Sequence, residues 1–153
     1  MPEKSEAVSY DHPMLRTVRR LLVAAVVAIA LATAGCSESG GALTEGRTIY
    51  GDHCSSCHGA TGNGGVGPSL HTVTETWPSC ADHIEWVTLG SDGWEAAHGS
   101  TYGATSRPVT GGMPSHASLL QRDEITEVAA FERIQFGGAD RDAVLADCGL
   151  EAG

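Results

Sequence analysis

The sequence predicts a small all-α fold of three or more short helices joined by long loops. Three segments have helical start and stop signals, and no segment shows the alternating pattern of a convincing strand. The 153 residues include 20 glycines but only three Trp, three Tyr and two Phe, which indicates a small, loop-rich core. Long loops are uncommon unless something organises them, and a large buried group would do so.

The three helical segments are residues 44–53, 83–89 and 122–136. Thr44 is a suitable N-cap for the first, and Ser79 or Asp82 could cap the second, which Gly90 would end. The third begins with acidic residues and stops at Gly137–Gly138, as favoured by the helix dipole and by glycine C-caps.

The remaining segments are predicted to be loops. Residues 59–67 are glycine-rich, and residues 91–112 contain five glycines and a proline. The tail from Ala139 is short and mostly polar. Within the third helix the apolar stripe is imperfect, because Glu132 falls near its middle.

The N-terminus has the pattern of an export signal. Arg16, Arg19 and Arg20 precede an apolar run over residues 21–35. As a helix this run would be about 22 Å long, whereas a bilayer core is roughly 30 Å thick. It therefore suits the apolar region of a signal peptide better than a membrane span.

The apolar run ends in Thr33-Ala34-Gly35-Cys36, which resembles a bacterial lipoprotein box with Cys36 as the lipidated residue. The departure is Thr33, where that motif usually has Leu. Two alternatives are ordinary cleavage after Ala34 and an uncleaved membrane anchor. All three would place residues 37 onward on the outer face of the cytoplasmic membrane, on the periplasmic or cell-wall side.

The part of the chain after the leader is strongly acidic. Residues 37–153 hold sixteen acidic residues, five arginines and no lysine, for a net charge of −11. Nucleic acid is an unsuitable partner for such a surface. The acidity could maintain solubility, or it could steer docking to redox partner proteins with a basic surface.

Cys54-Ser55-Ser56-Cys57-His58 is a C-x-x-C-H sequence, the pattern of c-type haem attachment. A separation of one helical turn lets Cys54 and Cys57 reach one porphyrin edge, and each thiol adds to one vinyl group. His58 then presents its imidazole to the iron. The alternatives are a redox dithiol and half of a zinc site, with Cys80 and His83 as the other half.

With this motif the chain resembles the class I cytochrome c family over about residues 43–138. Gly46 and Tyr50 precede Cys54 at the spacing where the family places a glycine and an aromatic residue on its first helix. Val128 and Phe131 fall where the family's last helix meets the first.

The resemblance also covers Gly67-Pro68-Ser69-Leu70, which matches the family's Gly-Pro-x-Leu segment. It implies that the Pro68 carbonyl accepts a hydrogen bond from Nδ1 of His58 and so orients the imidazole. The family's distal methionine loop is similar to Gly111-Gly112-Met113-Pro114, which implies Met113 as the second axial ligand. Met113 could instead pack in the core, and the rival ligands are His98 and His116.

Several aromatic and basic residues are candidates for the walls of the haem pocket. Trp77, Trp86 and Trp94 are expected to form the pocket or the core. The resemblance implies that one of them could donate its indole N–H to a haem propionate, and Trp94 is favoured for this role. Arg47 and Arg107 could also bind propionates. The other histidines are assigned structural or surface positions: His53 and His83 on helix surfaces, and His71 as a hydrogen-bonding loop residue.

Two cysteines remain once Cys36 is assigned to lipid and two to haem. In an oxidising compartment Cys80 and Cys148 could form a disulfide. It would close a long loop and stabilise the fold by up to about 4 kcal/mol in the chain-entropy model. Two separate buried thiols are the alternative.

The predicted organisation is a signal peptide or anchor (1–36), a flexible linker (37–42), a cytochrome c domain (43–138) and a tail (139–153). The predicted function is a one-electron carrier with one covalent haem c and His58/Met113 ligation. Because both axial positions would be filled, neither catalysis nor a small-molecule substrate is expected. The alternatives are an electron-transfer subunit of a larger membrane dehydrogenase or oxidase, and a haem sensor or peroxidase with a labile sixth ligand.

Overall fold

The computed structural model describes residues 41–151. The predicted leader, its Cys36 and most of the predicted linker lie outside the described residues. No helix within residues 41–151 combines the length and the apolar character needed to cross a bilayer.

The described part is mainly helical, which confirms the predicted fold class. In chain order the elements are α1 (Gly41–Ile49), a π-helical turn (Tyr50–Cys54), α2 (Ser55–His58), α3 (Val73–Thr76), α4 (Cys80–His98), β1 (Thr101–Tyr102), β2 (Arg107–Pro108), α5 (Arg122–Gln135) and α6 (Arg141–Cys148). The two short strands pair antiparallel, with Thr101 opposite Pro108 and Tyr102 opposite Arg107.

The first helix differs from the prediction at both ends. It already includes Gly41, so Thr44 is an interior residue and the prediction of Thr44 as N-cap is wrong. At its other end the helical path continues through the π-helical turn into α2, where Ser55 N–H bonds to the Tyr50 carbonyl. Turns of π-helix are rare in proteins overall, but those that occur are frequently found at functional sites.

The middle helix α4 is longer than predicted. Ser79 is its N-cap and accepts a hydrogen bond from the Asp82 backbone N–H at 3.2 Å. Gly90 interrupts the helix with φ 66° and ψ −176°, but helix resumes beyond it as far as His98. The predicted loop at residues 91–98 is therefore wrong, because Trp94 packs in the core and holds this second segment against it.

The core forms where α1 crosses α5. Gly46 faces the α5 backbone so closely that a Cβ there would overlap the Glu127 carbonyl. The Tyr50 ring lies 5.7 Å from that of Phe131 and 4.7 Å from that of Phe136, centroid to centroid. Val128 is fully buried in the same region. The close approach of the two backbones therefore sets the geometry of the helix that leads to Cys54.

The tail forms a helix instead of the predicted polar extension. Asp140 caps α6 by accepting a hydrogen bond from Ala143 N–H at 3.0 Å, and Val144 and Leu145 are buried. Two apolar residues one position apart were too weak a signal to predict a helix from the sequence.

A disulfide joins Cys80, at the start of α4, to Cys148, at the end of α6, with a Cα–Cα distance of 5.2 Å. Beside it the buried Arg133 guanidinium donates hydrogen bonds to the carbonyls of Trp77 and Pro78 and to Asp147 of α6. Burial lowers the pKa of Arg133, whereas the charge of Asp147 opposes that change. A covalent bond and a buried cation together fix α6 to α4 and α5.

Replacing Gly46 with alanine should destabilise the folded holoprotein by about 1–3 kcal/mol, the usual cost of overpacking a close contact. The added methyl group has to push α1 away from the Glu127 carbonyl. Denaturant unfolding followed by haem absorbance measures the change.

Gly51→Ala is the matched control, because Gly51 is exposed on the next turn and a Cβ there meets nothing within 4 Å. It should be neutral or stabilising by up to about 1 kcal/mol, from the better helix propensity of alanine. Equal stability of the two variants would show that the α1–α5 contact does not constrain residue 46.

Candidate haem-binding site

The attachment motif, the Gly-Pro segment and the methionine loop all line one cavity of ≈ 550 Å³. This volume lies within the range of about 300–1,000 Å³ that is typical of small-molecule and cofactor sites. The two thiols of the motif are Cys54, which is buried, and Cys57, which is exposed, and neither forms a disulfide. One edge of a bound group would therefore lie in the core and the other near solvent.

The imidazole of His58 is oriented by the segment that follows the glycine-rich loop. Its Nδ1–H donates to the Pro68 carbonyl at 2.9 Å, so Nε2 keeps its lone pair and can bind a metal. A Cβ at Gly67 would lie 2.9 Å from Cε1 of the imidazole. Only glycine leaves room for the ring, and this arrangement fits an axial ligand of haem iron.

The glycine-rich loop folds back onto the attachment helix. Gly64 N–H donates to the His58 carbonyl at 2.9 Å, and Gly67 N–H donates to the Cys57 carbonyl at 3.0 Å. The Tyr50 hydroxyl donates to the Gly59 carbonyl, and burial, followed by the charge of Glu132, raises the pKa of Tyr50 to about 12. The loop predicted from glycine content is therefore ordered by hydrogen bonds to the motif itself.

The methionine loop is attached to the kink in α4. Met113 N–H donates to the Ser91 hydroxyl at 3.0 Å, and Ser91 N–H donates to the Met113 carbonyl at 2.9 Å. Further along, the Ser115 hydroxyl donates to the Thr88 carbonyl at 2.6 Å. Met113 is partly buried and lines the cavity.

Gly90 makes this attachment possible. A Cβ on Gly90 would lie 2.5 Å from Ser115 N and 2.7 Å from the Met113 carbonyl oxygen, and its φ of 66° is unfavourable for other residues. The sequence marked Gly90 only as a helix stop. Neither Gly90 nor Ser91 carried a motif that could have linked it to Met113, which is more than twenty residues away.

Of the two rival axial ligands, His116 lines the cavity and His98 does not. His98 is exposed and its Nε2 lies 3.0 Å from Oε1 of Glu85, and it does not line the cavity. His116 is buried and lines the cavity, and burial lowers its pKa. The alternative of a zinc site with Cys80 and His83 as ligands is excluded, because Cys80 forms a disulfide and has no free thiol.

The structure corrects the prediction for Trp94. Its indole N–H donates to the Thr101 carbonyl at 3.0 Å, and it packs behind the cavity wall, so it is not free to bind a propionate. Trp77 and Trp86 do line the cavity, as does Arg107, whereas Arg47 does not. The reason is that the residues after Gly90 are helical and turn Trp94 towards the β1 backbone.

The histidines outside the motif follow the predictions only in part. His53 is exposed, as predicted, and lines the cavity. His71 bonds to Asn63 and to the Phe136 carbonyl, as expected of a loop residue. His83 is only 2 % exposed, so its predicted surface position is wrong. It pairs with Glu132 of α5, and both line the cavity.

Comparison with known proteins agrees with this geometry. The family model described as Cytochrome c matches residues 43–131, more than half of the chain. The chain belongs to the cytochrome c family. A cytochrome c domain binds haem c covalently and serves in electron transfer, and the free thiols, the oriented His58 and the cavity fit that group.

This cytochrome is also similar to a longer protein. It is 31% identical over 111 residues to the Cbb3-type cytochrome c oxidase subunit FixP of Azorhizobium caulinodans. The match covers 72% of this chain but 35% of that relative. No solved structure matches the chain significantly.

Replacing Gly90 with alanine should displace the methionine loop and weaken or abolish the bond between Met113 and iron. The far-red absorption band of the oxidised holoprotein reports that bond and should be lost or reduced. Gly51→Ala is the matched control, since Gly51 does not line the cavity and a Cβ there meets nothing within 4 Å. A full-strength band in Gly90→Ala would contradict the role given to the α4 kink.

Proposed function

We propose that this cytochrome is a one-electron carrier with a single covalently bound haem c and iron ligated by His58 and Met113. The observation that carries the proposal is the pair of backbone anchors on one cavity: Pro68 fixes His58, and Ser91 fixes Met113. The single haem follows from the single C-x-x-C-H motif in the sequence.

When bound, haem c supplies an iron that alternates between the ferric and ferrous states. The chain contributes the ligands and their orientation. The imidazole of His58 is held through its Nδ1–H, and the thioether of Met113 favours the ferrous state and raises the reduction potential. Trp77, Trp86 and Leu70 exclude water from the cavity walls. With His58 and Met113 both bound, the iron would have no free position for a substrate, and the proposal includes no catalysis.

Electron exchange is proposed to occur at the mouth of the cavity. Cys57 is exposed there, and Val66, which lines the cavity, is 93% exposed. Among the described residues, the exposed ones that line the cavity carry no carboxylate, ammonium or guanidinium group. The scarcity of charged groups at the exposed rim permits close contact with a redox partner at a low desolvation cost, while the acidic remainder of the surface attracts a basic partner from a distance.

The proposed location is the outer face of the cytoplasmic membrane. The support is the sequence of the leader, with Cys36 as the proposed lipid attachment site and an uncleaved anchor as the alternative. The Cys80–Cys148 disulfide also agrees with an oxidising compartment.

Replacing Met113 with alanine should abolish the far-red band of the oxidised holoprotein and lower the midpoint potential, since a thioether favours ferrous iron. Spectra recorded during an anaerobic redox titration measure both quantities. The covalent haem should remain, because Cys54 and Cys57 are unchanged.

His116→Ala is the control for this assignment, because His116 is the other candidate ligand that lines the cavity. It should keep the band. A band that persists in Met113→Ala would show that Met113 does not bind the iron.

A second candidate function is an electron-transfer subunit of a larger membrane oxidase or dehydrogenase. The similarity to an oxidase subunit favours it, although this chain covers only about a third of that protein. Purification of the full chain from detergent-solubilised membranes separates the two functions. A stoichiometric enzyme partner that stays bound through size exclusion would identify a subunit, whereas recovery of the cytochrome alone would identify a free carrier.

A further inference from the structure

A buried pair of ionisable side chains lies on the wall of the haem cavity. Nε2 of His83 and Oε2 of Glu132 are 3.1 Å apart, and the two side chains are only 3% and 6% exposed. Both residues line the cavity. Burying a carboxylate is unfavourable unless it is paired. The presence of Glu132 in an otherwise apolar helix stripe therefore indicates a role other than packing.

The elements packed around this pair offer few other charges. Tyr50 faces Glu132 from the π-helical turn, and with a pKa of about 12 it is neutral under ordinary conditions. His116 faces it from the methionine loop, where burial lowers its pKa and favours the neutral form. On α5 itself, Arg133 is bonded to Trp77, Pro78 and Asp147. Among the described residues, His83 is the ion-pair partner of Glu132.

Attachment of haem to Cys54 would remove a second hydrogen-bond donor to Glu132, the Cys54 thiol. The Cys54 thiol lies close enough to Glu132 for the carboxylate to raise its pKa, after the larger effect of burial, by charge and by a hydrogen bond. A thioether has no S–H to donate. In the holoprotein Glu132 therefore depends on His83 for its hydrogen bond, next to the group whose charge changes.

We propose that the Glu132–His83 pair binds a proton when the haem is reduced and releases it when the haem is oxidised. The inference rests on the proposed function. One electron passes from a redox partner to the iron, which lowers the charge of the haem by one. One proton passes from solvent to the pair, so that the net charge inside the cavity is restored. Oxidation reverses both transfers, and no other bond forms or breaks.

The physical cause is the low dielectric of the buried cavity, in which charges interact strongly. Positive charge on ferric haem stabilises the Glu132 carboxylate, and its loss on reduction raises the proton affinity of the pair. The two side chains share a hydrogen bond, so the proton belongs to the pair as a unit. The orphaned Nδ1 of His83, buried and without a partner among the described residues, is one place where that proton can reside.

The test is an anaerobic redox titration of the holoprotein at a series of pH values between about pH 5 and pH 8, where histidine-containing sites titrate. The reduced form binds more protons, so the midpoint potential should fall as pH rises. The slope should approach 59 mV per pH unit, the value for one proton per electron. A pH-indicator dye should register proton uptake on reduction.

Glu132→Gln should abolish the slope and the proton uptake and should raise the midpoint potential, because a carboxamide carries no negative charge. Glu127→Gln is the matched control: it makes the same change on the same helix, at a partly buried carboxylate that does not line the cavity. It should behave as the unchanged protein. A pH-independent potential in the unchanged protein, or a full slope in Glu132→Gln, would overturn the proposal.

His83→Gln provides a second variant in case Glu132→Gln does not load haem. The glutamine can still donate to Glu132, but it cannot bind a proton, so the pair loses one of its two proton sites and the sloping region should move to lower pH. An unmoved sloping region would overturn the role of His83. The far-red band recorded in each sample tests ligation by Met113 separately, so failure of the axial-ligand proposal is distinguishable from failure of this one.

Discussion

The hydrogen bond from His58 to the Pro68 carbonyl fixes the imidazole around which the cavity is arranged. It requires Gly67 to approach the ring without a side chain, and it requires the glycine-rich loop to fold back on the attachment helix. That helix is in turn positioned by the close crossing of α1 and α5 at Gly46. The orientation of one ring thus depends on three glycine-dependent contacts.

Local patterns in the sequence were sufficient to predict the attachment motif, the Gly-Pro segment and α5. Each depends on residues within a few positions of one another, so spacing alone carries the information. The attachment of Met113 to Ser91, the burial of His83 and the position of Trp94 depend on contacts between distant segments, and no pattern of spacing reports them. Gly90 illustrates the difference: as a local signal it indicates a stop, whereas in the fold it provides space for the backbone of another loop.

Helix α5 shows how polar residues can occupy a core-facing stripe. Glu132 interrupts the apolar pattern, and Arg133 follows it, yet both are buried and have partners: His83 for the first, and backbone carbonyls with Asp147 for the second. The two charges point to different neighbours, one towards the cavity and one towards the disulfide-linked tail. The departure from the apolar pattern therefore marks the part of α5 that faces the cavity on one side and the disulfide-linked tail on the other.

The disulfide between Cys80 and Cys148 has a consequence for how the protein is made. The described domain has four cysteines: Cys54 and Cys57 belong to the haem-attachment motif, and Cys80 and Cys148 form the disulfide. Cys148 is the last of the four to be synthesised. Until it arrives, Cys80 can reach the thiols of Cys54 and Cys57 through a shorter loop, which closes at a lower entropic cost. Correct maturation therefore needs an order of events: the motif thiols have to be kept reduced, or joined to haem, before oxidation reaches Cys80.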